Sequence, residues 1–87
     1  MTTVEIYTTP FCSYCNRAKA LLTKKGVSFT EIDVMSTPGA RTEMDRRTGG
    51  AWTVPQIIID GKAVGGSDEL AELDRSGELD GLLANGA

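Results

Sequence analysis

The segment VEIYTTPFCSYCNRAKALL, residues 4–22, contains the change of pattern on which the fold depends. Its first part alternates apolar and polar side chains, which predicts a strand over residues 3–8. Its later part places apolar side chains at helical spacing and cations on the other faces, which predicts a helix over residues 13–25. The only two cysteines of the chain, Cys12 and Cys15, therefore lie where this strand leads into this helix.

Further strands and helices are predicted downstream from the same periodicities and from turn residues. In chain order they are a strand over 27–34, a helix with Thr37 as N-cap and Pro38 at its first position that runs to about Thr48, a strand over 53–60, a short strand within 61–66, a helix capped by Ser67 or Asp68, and a short helix after Gly77.

The order of these elements sets the expected topology. The first strand, helix and strand form a βαβ unit, whose crossover should be right-handed and whose strands should be parallel. The last two strands form a β-hairpin. We therefore expect an α/β fold with a four-stranded mixed sheet, flanked by helices on both faces, in a single domain over residues 1–87.

The composition is that of a small globular protein. Of the 87 residues, 40% are hydrophobic and 24% are charged, which argues against disorder. No apolar run approaches the roughly 18 residues of a membrane span, and the first residues carry no secretory signal, so we expect a cytoplasmic location without a membrane partner. A net charge of −3 with both signs scattered argues against a nucleic-acid partner.

The two cysteines have three possible uses. A structural zinc site takes four ligands, usually cysteine and histidine, and this chain has two cysteines and no histidine. A structural disulfide across so short a step would restrain the unfolded chain little, and such bonds are rare in the cytosol. A redox-active pair is therefore the favoured interpretation, although two buried thiols that serve only as small apolar residues remain the alternative.

The position of Cys12 at a helix N-terminus gives this interpretation its chemistry. Unpaired N–H groups and the positive end of the helix dipole stabilise the thiolate, which is the nucleophilic form. Cys15 lies three residues later, on the same face and deeper in the helix. We therefore expect Cys12 to attack a disulfide and Cys15 to resolve the product.

Two later stretches fit a ligand cleft. In Thr53-Val54-Pro55, a cis peptide bond before the proline would turn the backbone of Val54 outward, where an extended peptide can pair with it. In GGSDEL, residues 65–70, the N–H groups of a helix start can hold a carboxylate and Asp68 can hold an ammonium. An ordinary strand-start proline and a simple turn with a helix cap are the corresponding structural alternatives.

Together, VEIYT..FC.YC..AK.LL, TVPQIII and GGSDEL resemble the glutaredoxins, within the thioredoxin-like superfamily, over nearly the whole chain. The resemblance implies a glutathione-dependent thiol–disulfide oxidoreductase, with glutathione as co-substrate and glutathionylated or disulfide-bonded proteins as partners. It implies that Cys12 is the nucleophile and that Cys15 resolves protein disulfides. The glutathione-binding residues that it implies are Tyr14, Arg41, Thr53, Val54, a cis Pro55, Gly66, Ser67 and Asp68.

The sequence departs from many glutaredoxins at three positions. Thr9 stands where many carry a lysine, which removes one cation near the thiolate and one anchor for glutathione. Ser13 replaces the commoner proline between the cysteines, as in the minority of members that hold an iron–sulfur cluster. Trp52 lies in a loop that is one residue longer than usual, and the sequence assigns it no role.

Two functions of different classes follow from the resemblance. The first is the enzyme, acting as a monomer. The alternative is a carrier of a [2Fe–2S] cluster, bridged between two chains by Cys12 of each and by two glutathione sulfurs, which supplies the four sulfur ligands such clusters take. A third possibility is a disulfide reductant that receives its electrons from thioredoxin reductase. Asp68 and the adjacent glycines Gly65 and Gly66 argue against it.

Overall fold

The chain alternates strands and helices in the predicted order. The computed structural model describes residues 2–84, and within them no helix is both long and apolar enough to cross a membrane. The elements are β1 (Val4–Thr8), α1 (Ser13–Lys24), β2 (Thr30–Asp33), α2 (Ala40–Thr48), β3 (Gln56–Ile59), β4 (Lys62–Gly65), α3 (Ser67–Ser76) and α4 (Glu78–Ala84).

The four strands form one mixed sheet in the order β2-β1-β3-β4. β1 pairs in parallel with β2, as expected of the βαβ unit, and antiparallel with β3. β3 and β4 form the predicted hairpin. The predicted four-stranded mixed sheet is confirmed, and β1, which leads to the cysteines, lies at its centre.

Helices cover both faces of the sheet because neighbouring residues of a strand point to opposite sides. On one face, Val4 and Ile6 of β1 pack with Leu22 of α1, and with Leu70 and Leu79 from the last two helices. On the other face, Tyr7 and Ile58 pack with Ala40 and Met44 of α2. The sheet is thus buried on both sides, which holds the end of β1 and the start of α1 in fixed positions.

The predicted start of α2 is wrong. The helix begins at Ala40, with Gly39 at the N-cap position, rather than at Pro38 after a Thr37 cap. The Ala40 N–H donates to the Thr37 carbonyl at 3.1 Å, and Gly39 has φ 77° and ψ −4°. This is a type II turn, which favours proline at its second position and needs glycine at its third. Pro38 therefore shapes the turn before the helix.

Two strands are shorter than the sequence predicts. β2 covers Thr30–Asp33 rather than 27–34, and the partly buried Val27 and Phe29 pack on the core from the segment before it. β3 begins at Gln56 rather than at 53. The apolar alternation that predicted longer strands records which side chains are buried. Here an irregular segment buries its apolar side chains without the backbone hydrogen bonds of a sheet.

A cluster of charged and polar side chains ties β1 to α2. Arg47 donates to both carboxylate oxygens of Glu5, at 2.9 and 2.7 Å, and to the Tyr7 hydroxyl at 2.9 Å. The Tyr7 hydroxyl donates to Glu43 at 2.7 Å. The hydrogen bonds from Arg47, followed by its charge, hold the pKa of Glu5 below its usual range against the opposing effect of burial.

Removing the arginine from this cluster should destabilise the protein. Arg47→Met leaves the carboxylate of Glu5, which is 23% exposed, without its partner, so we expect a loss of about 1–2 kcal/mol in the free energy of unfolding. Urea denaturation at neutral pH measures it, with Arg46→Met as control because Arg46 is exposed and carries the same charge on the same helix.

The same comparison has a pH dependence. Because the folded-state pKa of Glu5 is lowered, the Glu5–Arg47 pair contributes its full stabilisation of the fold above the unfolded pKa of about 4.3. This contribution is lost as the pH falls through the folded pKa. The stability gap between the wild type and Arg47→Met should therefore close below about pH 4. A gap that persists unchanged in acid, or one that Arg46→Met reproduces, would contradict this assignment.

Candidate active site

Cys12 is the N-cap residue of α1. Its backbone is extended, with φ −105° and ψ 108°, and its Sγ accepts the N–H of Cys15 at 3.1 Å. Its carbonyl accepts the first helical hydrogen bond, from Asn16 at 3.1 Å. The first turn of α1 contains no acidic side chain. A partly exposed sulfur thus takes the place that a serine or aspartate oxygen takes in most helix caps, beside N–H donors that favour an anion.

Cys15 has the opposite surroundings. It is a free thiol that is only 1% exposed. Burial, with a smaller contribution from its hydrogen bond with Cys12, raises the pKa of Cys15 to about 11. The backbone of Thr9 and the charge of Lys19 act in the opposite direction and do not offset it. The two thiols are therefore chemically unequal, one accessible and the other buried and protonated at neutral pH.

This inequality predicts selective alkylation. Under native conditions and neutral pH, the reduced protein should take up one carbamidomethyl group from iodoacetamide, on Cys12, because the reagent needs an accessible thiolate. A second group should appear on Cys15 only after unfolding in urea. Intact mass and peptide mapping measure both steps. Native modification of Cys15 at a rate comparable to that of Cys12 would contradict the burial.

A groove of about 260 Å³ lies beside Tyr14, the residue before Cys15, between α1, the segment before β3 and the start of α3. The Val54–Pro55 peptide bond, in that segment, is cis, as the resemblance implied. The residues that line the groove are Tyr14, Thr53, Val54, Pro55, Gly66, Ser67, Asp68 and Glu69. The structure thus brings together seven of the eight residues that the resemblance implied for glutathione, and adds one.

The groove ends at the first turn of α3. The predicted cap is wrong, since Gly66 rather than Ser67 or Asp68 is the N-cap residue. The Gly66 N–H donates to the carboxylate of Glu69 at 2.7 Å, and this bond ties the glycine to the first turn. Within residues 2–84 the carboxylate of Asp68 is exposed and makes neither a hydrogen bond nor an ion pair, so it is free to receive a ligand cation.

Glu69 was missed from the sequence. The signal for it was present, because a cap residue followed three positions later by glutamate is the pattern of a capping box. With glycine at the cap, only the glutamate half of the box exists here. With Ser67 or Asp68 as the cap, the third position of the helix would be Leu70 or Ala71, so the predicted caps did not point to Glu69.

Arg41 does not line the groove. It lies near the start of α2 and its Nη1 donates to the carbonyl of Trp52 at 3.3 Å. This carbonyl belongs to the loop of residues 49–52 that follows α2. The Arg41 guanidinium therefore has a hydrogen-bond partner within the protein. The Trp52 side chain is 64% exposed. Arg41 therefore lies outside the lining of the groove, and the contact with glutathione that the resemblance implied for it stays a prediction.

An exposed aromatic side chain also precedes the accessible thiol. Phe11 is fully exposed and has φ 60°, a left-handed conformation that is uncommon for residues other than glycine. The Tyr14 ring is 54% exposed and lies under the guanidinium of Arg17, at 5.9 Å. The sequence carries no signal for the exposure of Phe11.

Comparison with known proteins agrees with this architecture. The family model "Glutaredoxin" matches residues 4–64. The chain is 53% identical to Glutaredoxin 3 of Escherichia coli (strain K12), over 95% of this chain and 99% of that protein. The glutaredoxin of Brucella melitensis has a solution structure that is 52% identical, with a TM-score of 0.83 over 100% of this chain and 94% of that one.

A second solved structure extends the likeness to a liganded protein. The crystal structure of a buckwheat glutaredoxin–glutathione complex is 28% identical, with a TM-score of 0.85 over 94% of this chain and 76% of that one. The shared fold confirms the predicted thioredoxin-like architecture, and the relatives indicate a thiol oxidoreductase. Sequence, fold and family model agree, and the chain belongs to the glutaredoxin family.

Proposed function

We propose that this protein is a glutathione-dependent thiol–disulfide oxidoreductase that reduces protein–glutathione mixed disulfides with Cys12 and protein disulfides with Cys12 and Cys15. The observation that carries the proposal is the pairing of the partly exposed Cys12 thiol at a helix N-terminus with the buried thiol of Cys15, whose backbone N–H donates to the Cys12 Sγ at 3.1 Å. Such a pair separates the attacking sulfur from the resolving sulfur.

The first reaction needs Cys12 alone. Its thiolate attacks the glutathione sulfur of a protein–glutathione mixed disulfide. The Cys12–glutathione disulfide forms, the bond to the protein sulfur breaks, and the protein thiolate leaves and takes up a proton. The thiolate of a second glutathione then attacks this intermediate, which gives glutathione disulfide and restores Cys12. In sum, one free glutathione and the mixed disulfide give the protein thiol and glutathione disulfide, so the incoming glutathione is the reductant.

The second reaction needs Cys15 as well. Cys12 attacks a protein disulfide and forms a mixed disulfide with one protein sulfur, while the protein S–S bond breaks and the other protein sulfur leaves as a thiolate. Cys15 loses its proton and attacks the Cys12 sulfur, so the Cys12–Cys15 bond forms and the protein thiolate leaves. Two glutathione molecules then reduce the intramolecular disulfide. The raised pKa of Cys15 fits this role, because a thiol that stays protonated does not compete for the first attack.

The groove supplies the binding site in this proposal. The backbone of Val54 lies outside the strands and, within residues 2–84, no hydrogen bond reaches its N–H or carbonyl, so it is available to the cysteinyl part of glutathione. Asp68 and the first turn of α3 are available to the γ-glutamyl end, where a carboxylate and an ammonium lie together. Tyr14 and Thr53 also line the groove.

A coupled assay tests this function. The protein is mixed with a glutathionylated peptide, glutathione, glutathione reductase and NADPH, and NADPH oxidation is followed. We expect turnover that depends on both the protein and glutathione, and no turnover when thioredoxin and thioredoxin reductase replace the glutathione system. Equal turnover with the thioredoxin system, or none with glutathione, would contradict the proposal.

The cluster carrier remains a second candidate on the basis of Ser13, the exposed first residue of α1, which keeps an N–H that a proline lacks. Within residues 2–84 of one chain, no group of three or more acidic or cysteine side chains could hold a metal ion, so the cluster would need Cys12 from two chains and two glutathione sulfurs. Anaerobic purification distinguishes the cases. A brown dimer that loses its colour in Cys12→Ser supports the carrier, and a colourless monomer supports the enzyme alone.

The expected cytoplasmic location and the absence of nucleic-acid or membrane partners are further parts of this proposal. They rest on the sequence. Fractionation of cells that express a tagged chain tests the location directly.

A further inference from the structure

Glu69 lines the groove, but the proposed function assigns it no role. It lies at the third position of α3 and lines the groove together with Gly66, Ser67 and Asp68. Its carboxylate accepts the Gly66 N–H at 2.7 Å, so it holds a backbone group instead of facing a ligand.

The two glycines before α3 leave the space that the Glu69 side chain occupies. Gly65 has φ 110°, and a Cβ built on it would lie 2.8 Å from both Cβ and Cγ of Glu69. A Cβ built on Gly66 would lie 3.3 Å from the Glu69 carboxylate and 3.1 Å from the Pro55 carbonyl. The side chain of Glu69 therefore folds back over both glycines, and the turn that it holds packs against the proline on the opposite wall of the groove.

From this geometry we infer that Glu69 is a positioning residue, which sets the place of Ser67 and Asp68 opposite Val54 and Pro55 without contacting glutathione itself. The inference rests on the proposed function, because it concerns the same groove. A turn that is already ordered in the free protein binds its ligand more tightly, because groups that must be ordered on binding lower the affinity. The bond to Gly66 supplies this order in the free protein.

The inference predicts the effect of three variants on ligand affinity. The probe is S-methylglutathione, which binds without disulfide chemistry, and the readout is the fluorescence of Trp52, the only tryptophan, or calorimetry. Glu69→Ala should raise the Kd about five- to tenfold, as expected for one lost hydrogen bond and a loosened turn. Glu69→Gln keeps an oxygen acceptor at the same reach and should stay within about twofold of the wild type. Glu69→Asp is too short to reach the Gly66 N–H and should behave like alanine.

The matched control is Glu72→Ala, which removes the same charge one turn later on α3, where the carboxylate pairs with Arg75. Its Kd should be unchanged. The rate of Cys12 alkylation should also be unchanged in Glu69→Ala, because the cysteine motif is not altered. If the alanine variant fails to fold, the aspartate variant carries the same test.

The outcomes separate the inference from the function on which it rests. Wild-type binding with equal affinity in Glu69→Ala and Glu69→Asp overturns the positioning role and leaves the function intact. A loss of affinity in Glu69→Gln as large as in Glu69→Ala also overturns it, because the charge rather than the hydrogen bond would then matter. If the wild type does not bind S-methylglutathione, the proposed function fails and the inference fails with it.

Discussion

Cys12→Ser should abolish the reduction of both glutathionylated peptides and protein disulfides, to the rate without enzyme, because the attacking sulfur is lost. Cys15→Ser should keep the reduction of glutathionylated peptides within a few fold of the wild type. It should lose most of the reduction of protein disulfides, since no second thiol then releases the protein from Cys12. The two activities are measured in parallel with glutathione, glutathione reductase and NADPH.

The pair of variants acts as its own control. Both substitutions replace one sulfur by one oxygen, and the partly exposed Cys12 should tolerate the change better in stability than the buried Cys15. If the substitutions acted only by destabilising the fold, Cys15→Ser would therefore lose more of both activities than Cys12→Ser. Retained activity in Cys12→Ser, or equal loss of both activities in Cys15→Ser, would show that the roles are assigned wrongly.

Asp68→Ala should raise the apparent KM for a glutathionylated peptide about tenfold or more and leave kcat near that of the wild type. The variant removes the acceptor proposed for the γ-glutamyl ammonium, and a hydrogen bond to a charged group contributes about 1.5–3 kcal/mol. The sulfur chemistry at Cys12 is untouched. Steady-state kinetics with the peptide as varied substrate measures the separation between KM and kcat.

Two controls distinguish ligand binding from helix stability in this experiment. Asp68 also lies in the first turn of α3, where an acidic side chain stabilises a helix by about 0.3–1 kcal/mol. An unchanged KM with a lower melting temperature would show that this is its only role. Glu72→Ala, which alters the charge of the same helix away from the groove, should leave both constants unchanged.

The sequence predicts the part of the fold that depends on periodicity. Val4 and Ile6 alternate with polar residues, and Ala18 and Leu22 follow at helical spacing, so the junction that carries Cys12 could be located before the structure. Periodicity records which side chains are buried, and it is less informative about backbone hydrogen bonds. For that reason β2 covers fewer residues than its apolar pattern predicts.

The errors at helix starts have a different cause. Pro38 fits the first turn of a helix and the second position of a type II turn equally well, and the glycine after it decides for the turn. At α3 the cap depends on the side chain of Glu69 reaching back over two glycines, which the preference of single residues for cap positions does not describe. Arg41 could be placed on α2, but its partner is a carbonyl in a loop whose path the sequence does not specify.

The central claim is that Cys12 alone carries the glutathione intermediate. The most direct measurement is the intact mass of Cys15→Ser after incubation with glutathione disulfide, before and after addition of excess glutathione. We expect one glutathione per chain, mapped to Cys12, which is removed when reduced glutathione is added. A protein that takes up no glutathione, or one whose adduct on Cys12 resists reduction by glutathione, would contradict it.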